Sequence, residues 1–182
     1  MGKIVSNFFM SLDGVVEAPD QWHMPYFNDE MGAAIGRGME TNTAFLMGRV
    51  LYDEWAAFWP SQGEDDEFAA FFNRHPKYVV STTLETADWN NTTIVAGDVA
   101  QRVRELKRGT DGDLVVSGSA TLVRSLLADG LVDELRLLVH PIVVGHGARL
   151  FEDPAATHAL ELVGNEAFST GVLNLTYAPA AE

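Results

Sequence analysis

The sequence predicts an α/β fold: a mixed sheet, parallel in its middle and antiparallel at its end, with helices on both faces as a three-layer sandwich. Three patterns point there. Short β-rich apolar runs alternate with amphipathic helical stretches, the order that gives parallel strands joined by right-handed crossovers. Those runs are apolar almost throughout rather than alternating, as strands buried on both faces are. The C-terminal segment then changes to strand-like runs around Ser169-Thr170-Gly171, which reads as an antiparallel hairpin.

The first strand is the run Ile4-Val5-Ser6-Asn7-Phe8-Phe9-Met10. It is too short for a signal peptide and lacks a cleavage pattern. A helix is expected over residues 29–39, where Gly32 and Gly36 share one face and would allow a close backbone approach. Phe45-Leu46-Met47 is a short strand, followed by a helical segment through Trp55. The charge run Glu64-Asp65-Asp66-Glu67 opens a further helix, because carboxylates favour the positive end of the helix dipole. Tyr78-Val79-Val80-Ser81, Thr93-Ile94-Val95-Ala96, Leu114-Val115-Val116-Ser117 and residues 135–139 complete the parallel part. Between them, Val99, Val103 and Leu106 form one helical stripe. Leu122, Val123, Leu126 and Leu127 form another, with Gly130 placed to end it. Residues 158–168 and 172–177 form the terminal hairpin. No linker or repeat interrupts this order, so residues 1–182 are read as a single domain.

Composition narrows the function. With 26 acidic and 12 basic residues the formal net charge is −14, which disfavours nucleic acid, whose affinity rests on Lys and Arg neutralising phosphates. The apolar fraction of 47% and charged fraction of 21% are those of a globular domain. The lack of cysteine removes thiol nucleophiles, disulfides, iron–sulfur clusters and cysteine zinc sites. His23, His75, His140, His146 and His158 show no metal-ligand spacing, and neither HExxH nor GxSxG occurs, so no metal is expected. His140 and His158 read as strand residues with satisfied hydrogen bonds. No run approaches the ~18 apolar residues of a membrane span. The expectation is a cytoplasmic protein acting on a small molecule, with no membrane or nucleic-acid partner.

The candidate site residues lie where strands end. Ser117-Gly118-Ser119-Ala120-Thr121 passes from a buried strand into a helix, the junction at which free N–H groups and a glycine admit a phosphate. Ser119 as a plain N-cap and Gly118 as a tight turn is the alternative. Met47-Gly48-Arg49 repeats the arrangement with a guanidinium suited to phosphate; its alternative is a surface ion pair with Asp53 or Glu54. Ser81 and Thr82 end a third strand on the same edge. Ser11-Leu12-Asp13-Gly14 makes a turn after the first strand. The stretch Trp22 to Phe27 either walls a flat-ring pocket or packs as core. Asp13, Asp29 and Glu30 are the candidate proton donors near a heterocycle, the last two with helix capping as their alternative.

Taken in order, Ser11-Leu12-Asp13-Gly14, Met47-Gly48-Arg49, Val79-Val80-Ser81-Thr82-Thr83-Leu84, Val115-Val116-Ser117-Gly118-Ser119-Ala120, Leu131-Val132-Asp133-Glu134-Leu135 and the run from Pro141 through Gly145-His146-Gly147 to Phe151 resemble the dihydrofolate reductase-like superfamily. They are most similar to stand-alone proteins like the C-terminal reductase domain of the riboflavin-biosynthesis deaminase-reductase. The resemblance implies an NADPH-dependent reductase with the cofactor across the carboxyl edge of the sheet. It places Gly48 and Arg49 by the adenosine-side phosphates, Ser81 and Thr82 by the adenine, and Ser117, Gly118, Ser119, Ala120 and Thr121 at the pyrophosphate. Nicotinamide is implied near Phe9, Met10 and Asp13-Gly14, facing a pterin-like or pyrimidine-like substrate against Trp22 and Phe27. A homodimer is implied too, with residues 131–151 as the run that would pair sheets between subunits. Two departures stand out: Ser117 replaces the glutamate of the riboflavin-pathway reductases, and Phe27 replaces the acidic residue of dihydrofolate reductase.

Overall fold

In β1 (Lys3–Ser11), Ile4 and Phe8 join the core on one face of the sheet while Val5 and Phe9 join the packing on the other, as the two-residue period of a strand requires. The structure, a computed structural model, describes residues 2–63, 65–152 and 157–180. After β1 come α1 (Asp29–Thr41), β2 (Asn42–Gly48), α2 (Arg49–Phe58), α3 (Glu67–Arg74), β3 (Lys77–Val80), β4 (Thr92–Val95) and α4 (Val99–Gly109). Next follow β5 (Asp113–Val116), α5 (Ala120–Ala128), β6 (Glu134–His140), β7 (Leu160–Ala167) and β8 (Leu173–Pro179). They build one eight-stranded sheet in the order β4-β3-β2-β5-β1-β6-β8-β7. The six strands from β4 to β6 run parallel; β8 is antiparallel to both β6 and β7.

The helices divide between the faces. Val103 of α4 and Leu122, Val123 and Leu126 of α5 pack with Ile4, Leu114 and Leu135 on one side. Tyr52 of α2 and Phe71 of α3 pack with Val5, Phe45 and Val79 on the other, and Met31 of α1 packs there against Phe9. The α/β three-layer sandwich with its terminal antiparallel hairpin is therefore as the sequence predicts.

Local chemistry sets the helix starts. Asn28, Asp66, Asp98 and Ser119 each accept a backbone N–H from the first turn of the helix that follows, the N-cap bond that satisfies donors the helix cannot. Asp66 is thus the capping member of the acidic run, whose Glu64 lies outside the described residues. Gly130, at φ 63°, ends α5 in the left-handed region.

Two expectations are corrected. Gly32 and Gly36 admit no close backbone approach: a Cβ on Gly36 would meet nothing within 4 Å, and one on Gly32 would meet only the Phe27 ring at 3.8 Å. They line an open groove of about 430 Å³ between α1 and α3 instead. Residues 131–151 do not form a free pairing edge either, because β6 lies between β1 and β8, and Leu131, Val132, Leu135 and Leu137 are buried. The edge strands are β4 and β7.

At the amino edge Lys77 is fully buried, with Nζ 4.2 Å from the centre of the Trp89 ring. It donates to the carbonyls of Phe72 at 2.7 Å, His75 at 2.8 Å and Asn73 at 3.4 Å, closing the C-terminal end of α3.

Candidate active site

From β2 the chain crosses the α1–α3 face towards β3; from β5 it crosses the α4–α5 face towards β6, in the opposite direction. Ligands of open α/β sheets bind in the crevice that such a reversal leaves beyond the carboxyl ends of the strands. Here α2 and α5 both begin at that crevice, one on each face. Their turns interlock: a Cβ on Gly48 would lie 2.6 Å from the Ser119 Cβ, and one on Gly118 would lie 2.9 Å from Leu51 Cδ2. Both glycines are required by this packing, whatever the crevice binds.

The crevice keeps donors available. Gly48 caps α2 with no side-chain bond, so its first-turn N–H groups have no partner from a cap. Ser119 Oγ takes the Leu122 N–H at 3.3 Å, and the Ala120 and Thr121 N–H groups have no partner within α5. Ser119 is held at φ 58°, a backbone state that costs a non-glycine residue about 1–3 kcal/mol and clusters at ligand sites. Arg49 is half exposed; it donates to Asp53 at 3.3 Å and to Thr83 Oγ1 at 3.0 Å, which ties the end of β2 to the turn after β3. That turn is ordered by Ser81 Oγ, which accepts the N–H groups of Thr83 and Leu84, while Thr82 is exposed beside it. Two helix N-termini and a guanidinium thus meet at one crevice in a chain of net charge −14, a local arrangement that favours an anion.

The β1–β6 end is built differently. Asp13 accepts from Ser11 Oγ at 2.7 Å, Val144 N at 3.0 Å and Gly145 N at 2.9 Å, with Arg149 at 3.4 Å. The Ser11 hydroxyl, aided by those backbone N–H groups, holds its carboxyl far below the usual carboxylate range. Asp13 is therefore a fixed anion clasping the loop after β1 to the loop after β6, and the proton-donor expectation is corrected. Glu30 is likewise committed. It binds the hydroxyl and N–H of Ser169 and the Asn28 amide, and these bonds, the Ser169 hydroxyl first, lower its pKa. It pins α1 to the β7–β8 turn instead of facing a ring. Asp29 is exposed in the first turn of α1, where a carboxylate favours the dipole. Phe27 is exposed and Trp22 is buried, its indole donating to the Glu17 carbonyl at 3.1 Å.

Sequence reasoning missed what Trp22 covers. His140, at the end of β6, is fully buried amid Phe9, Trp22, His23 and Tyr26, with ring centres 5.2–6.0 Å away. Its Nδ1 lies 2.8 Å from the Leu138 carbonyl, but Nε2 has no partner, so the expected full satisfaction is corrected. Burial lowers the pKa of both His140 and His23. The signal available was a histidine ending a buried strand, remote along the chain from the aromatic segment it meets. His158 is exposed and lies outside the strands.

A family model, described as the RibD C-terminal domain, matches residues 2–174. The chain belongs to that family. The Bacillus subtilis protein YyaP is 29% identical over 181 residues, covering 96% of this chain and 94% of its own. A Shewanella sp. PV-4 structure, solved as a candidate riboflavin biosynthesis protein, superposes with a TM-score of 0.80 at 19% identity, covering 98% of this chain and 99% of that one. Dihydrofolate reductase from Enterococcus faecalis, solved with NADP(H), superposes with a TM-score of 0.65 at 12% identity, covering 98% and 97%. The RibD C-terminal family and the dihydrofolate reductase-like fold are therefore those the motifs resemble. Among the described residues no helix is long and apolar enough to cross a membrane, and no group of three or more His, Asp or Glu is placed to hold a metal ion.

Proposed function

We propose that the protein is an NADPH-dependent reductase that delivers hydride to a C=N or carbonyl-type bond in a small planar heterocycle, pyrimidine-like or pterin-like. The observation that carries this reading is the convergence of the α2 and α5 N-termini with Arg49 at the β2–β5 crevice. Bound there, the cofactor would supply a hydride, that is, a proton with two electrons. Arg49 takes an adenosine-side phosphate, Ser81 and Thr82 border the adenine, and Ser117, Gly118, Ser119, Ala120 and Thr121 bind pyrophosphate through their backbone and hydroxyls. Trp22 and Phe27 belong to the segment against which the substrate ring packs. Fixing the ring on the nicotinamide is the protein's main contribution. With Asp13 and Glu30 committed, the proton for the reduced heteroatom comes through water, or from Asp29 after the segment before α1 moves.

The reading includes a cytoplasmic place of action, where reduced nicotinamide is at hand, and a homodimer. The hairpin's exposed Leu162, Val163 and Leu173 support the latter, and sedimentation of the wild type against Val163→Glu tests it. Titration with NADPH and NADH, followed by cofactor fluorescence, tests the main claim; lack of binding to both at low salt overturns it. A second reading, a ligand-binding protein without turnover, is favoured by the two committed carboxylates. NADPH oxidation with aminopyrimidine and pterin substrates separates the two, because a binder shows affinity without consumption.

A further inference from the structure

Among the described residues, four buried side-chain atoms lack a hydrogen-bond partner, and two of them, His23 Nδ1 and His140 Nε2, belong to the same cage. The Leu138 carbonyl can only accept, so the proton of neutral His140 is on Nδ1 and Nε2 presents a bare lone pair. A buried acceptor left without a donor is disfavoured, and native structures rarely keep one without a reason. His23 lies flat on Phe9, with ring centres 4.5 Å apart and planes at 21°. Its covering segment is weakly tied. The backbone bonds of Gln21, Trp22, His23, Tyr26 and Phe27 all close on carbonyls between Ala18 and Met24, and the Trp22 indole binds nearby Glu17. Phe9 is thus an aromatic platform, His140 an acceptor beside it, and the ring now filling the slot is a heteroaromatic one with an unused nitrogen.

From this we infer that the His23 imidazole holds the place of the substrate's ring, and that His140 reads that ring by accepting one of its N–H groups at Nε2. The assignment deepens the reductase reading and rests on it for the identity of the slot's occupant. The segment carrying His23 swings outward as the ring enters; its neighbours Met24 and Phe27 are already exposed. The slot selects a neutral ring. A cationic ring needs a carboxylate, and Asp13 and Glu30 are held elsewhere. The other ionisable groups bordering the cage are Tyr26 on the covering segment and Asp20, which acts on His23.

The test uses the full chain saturated with NADPH and two probes, neutral 6-aminouracil and 2,4-diaminopyrimidine, which carboxylate sites bind as a cation. Imidazole ¹⁵N spectra of the wild type should show His140 Nε2 shifting as a new acceptor on addition of 6-aminouracil. His140→Leu should weaken that probe about tenfold with no change in NADPH affinity, and His140→Gln, which keeps an acceptor, should recover part of the loss. His23→Ala should tighten the probe by about threefold or more, since no closed state competes. An unshifted Nε2, unaltered affinity in His140→Leu, tighter binding of 2,4-diaminopyrimidine, or wild type that binds NADPH but not 6-aminouracil each overturns the assignment. The spectra decide the matter should His140→Leu fail to fold. Wild type that binds no NADPH while 6-aminouracil still shifts Nε2 removes the reductase reading and leaves the ring slot standing.

Discussion

Between β2 and β5 the chain leaves its donors open, with the first N–H groups of α2 and α5 uncommitted and Arg49 half exposed, whereas at the β1–β6 end Asp13 and Glu30 are tied to the protein itself. One region keeps its donors free. The other is closed by aromatic rings around a neutral imidazole. Neighbouring parts of one sheet edge can differ this much because helix N-termini supply fixed positive ends, while the character of the β1–β6 end depends on which side chains the long loops bring over it.

The sharpest way to break the contrast is Gly48→Ala. The new Cβ would drive the α2 and α5 turns apart, costing about 1–3 kcal/mol of stability and abolishing NADPH binding. Thermal unfolding and cofactor titration read both; a variant that binds normally would show that the crevice is not the cofactor site. Arg49→Ala should follow, weakening NADPH by about 1.5–3 kcal/mol if the guanidinium holds a charged phosphate, with melting nearly unchanged because its ion pair with Asp53 is exposed and screened. Equal affinity in the variant would move the phosphates elsewhere.

Lys77→Met, at the opposite edge, is the control: it should cost about 1–3 kcal/mol of stability by leaving buried carbonyls without a donor, and leave NADPH affinity alone. Burial pushes the Lys77 pKa down to about 8 from 10.5. Between those values the unfolded chain holds the extra proton, so this group's contribution to stability rises with pH, and denaturant melts should show a wider gap between wild type and variant at pH 10 than at pH 7.5. The smallest effect near neutrality is expected for Asp13→Asn. Its folded pKa lies below the ordinary 3.8, so the stability it gives is present above that value and is lost as pH falls through the lower folded one. The variant should blunt acid unfolding below about pH 4 and leave the pH profile of NADPH oxidation between 6 and 8 in place; a lost basic or acidic limb there would restore Asp13 as the proton donor.

Much of this is legible in the sequence. Strand runs such as Val115-Val116 and the stripes of α4 and α5 are set by local periodicity, and the Gly48-Arg49 and Ser117-Gly118-Ser119 turns announce themselves because strand-to-helix junctions are short and need glycine. The role of a carboxylate is not legible in the same way. Asp13 reads as a turn residue near a ring until Val144 and Gly145, far along the chain, are seen to saturate it. Glu30 reads as a helix-start acid until Ser169 is seen to take it.

The layered α/β architecture, the strand-end positions of the Gly48-Arg49 and Ser117-Gly118-Ser119 turns and the acidic, cysteine-free character of the chain are written in the sequence, because each follows from composition or from neighbours within a few residues. Long-range packing makes β6 an interior strand, clasps two candidate acids and seals His140 under rings from β1 and the segment before α1. These depend on contacts between residues remote in sequence, and burial, which alone turns an ordinary histidine nitrogen into an unsatisfied acceptor, is a property of the packed molecule.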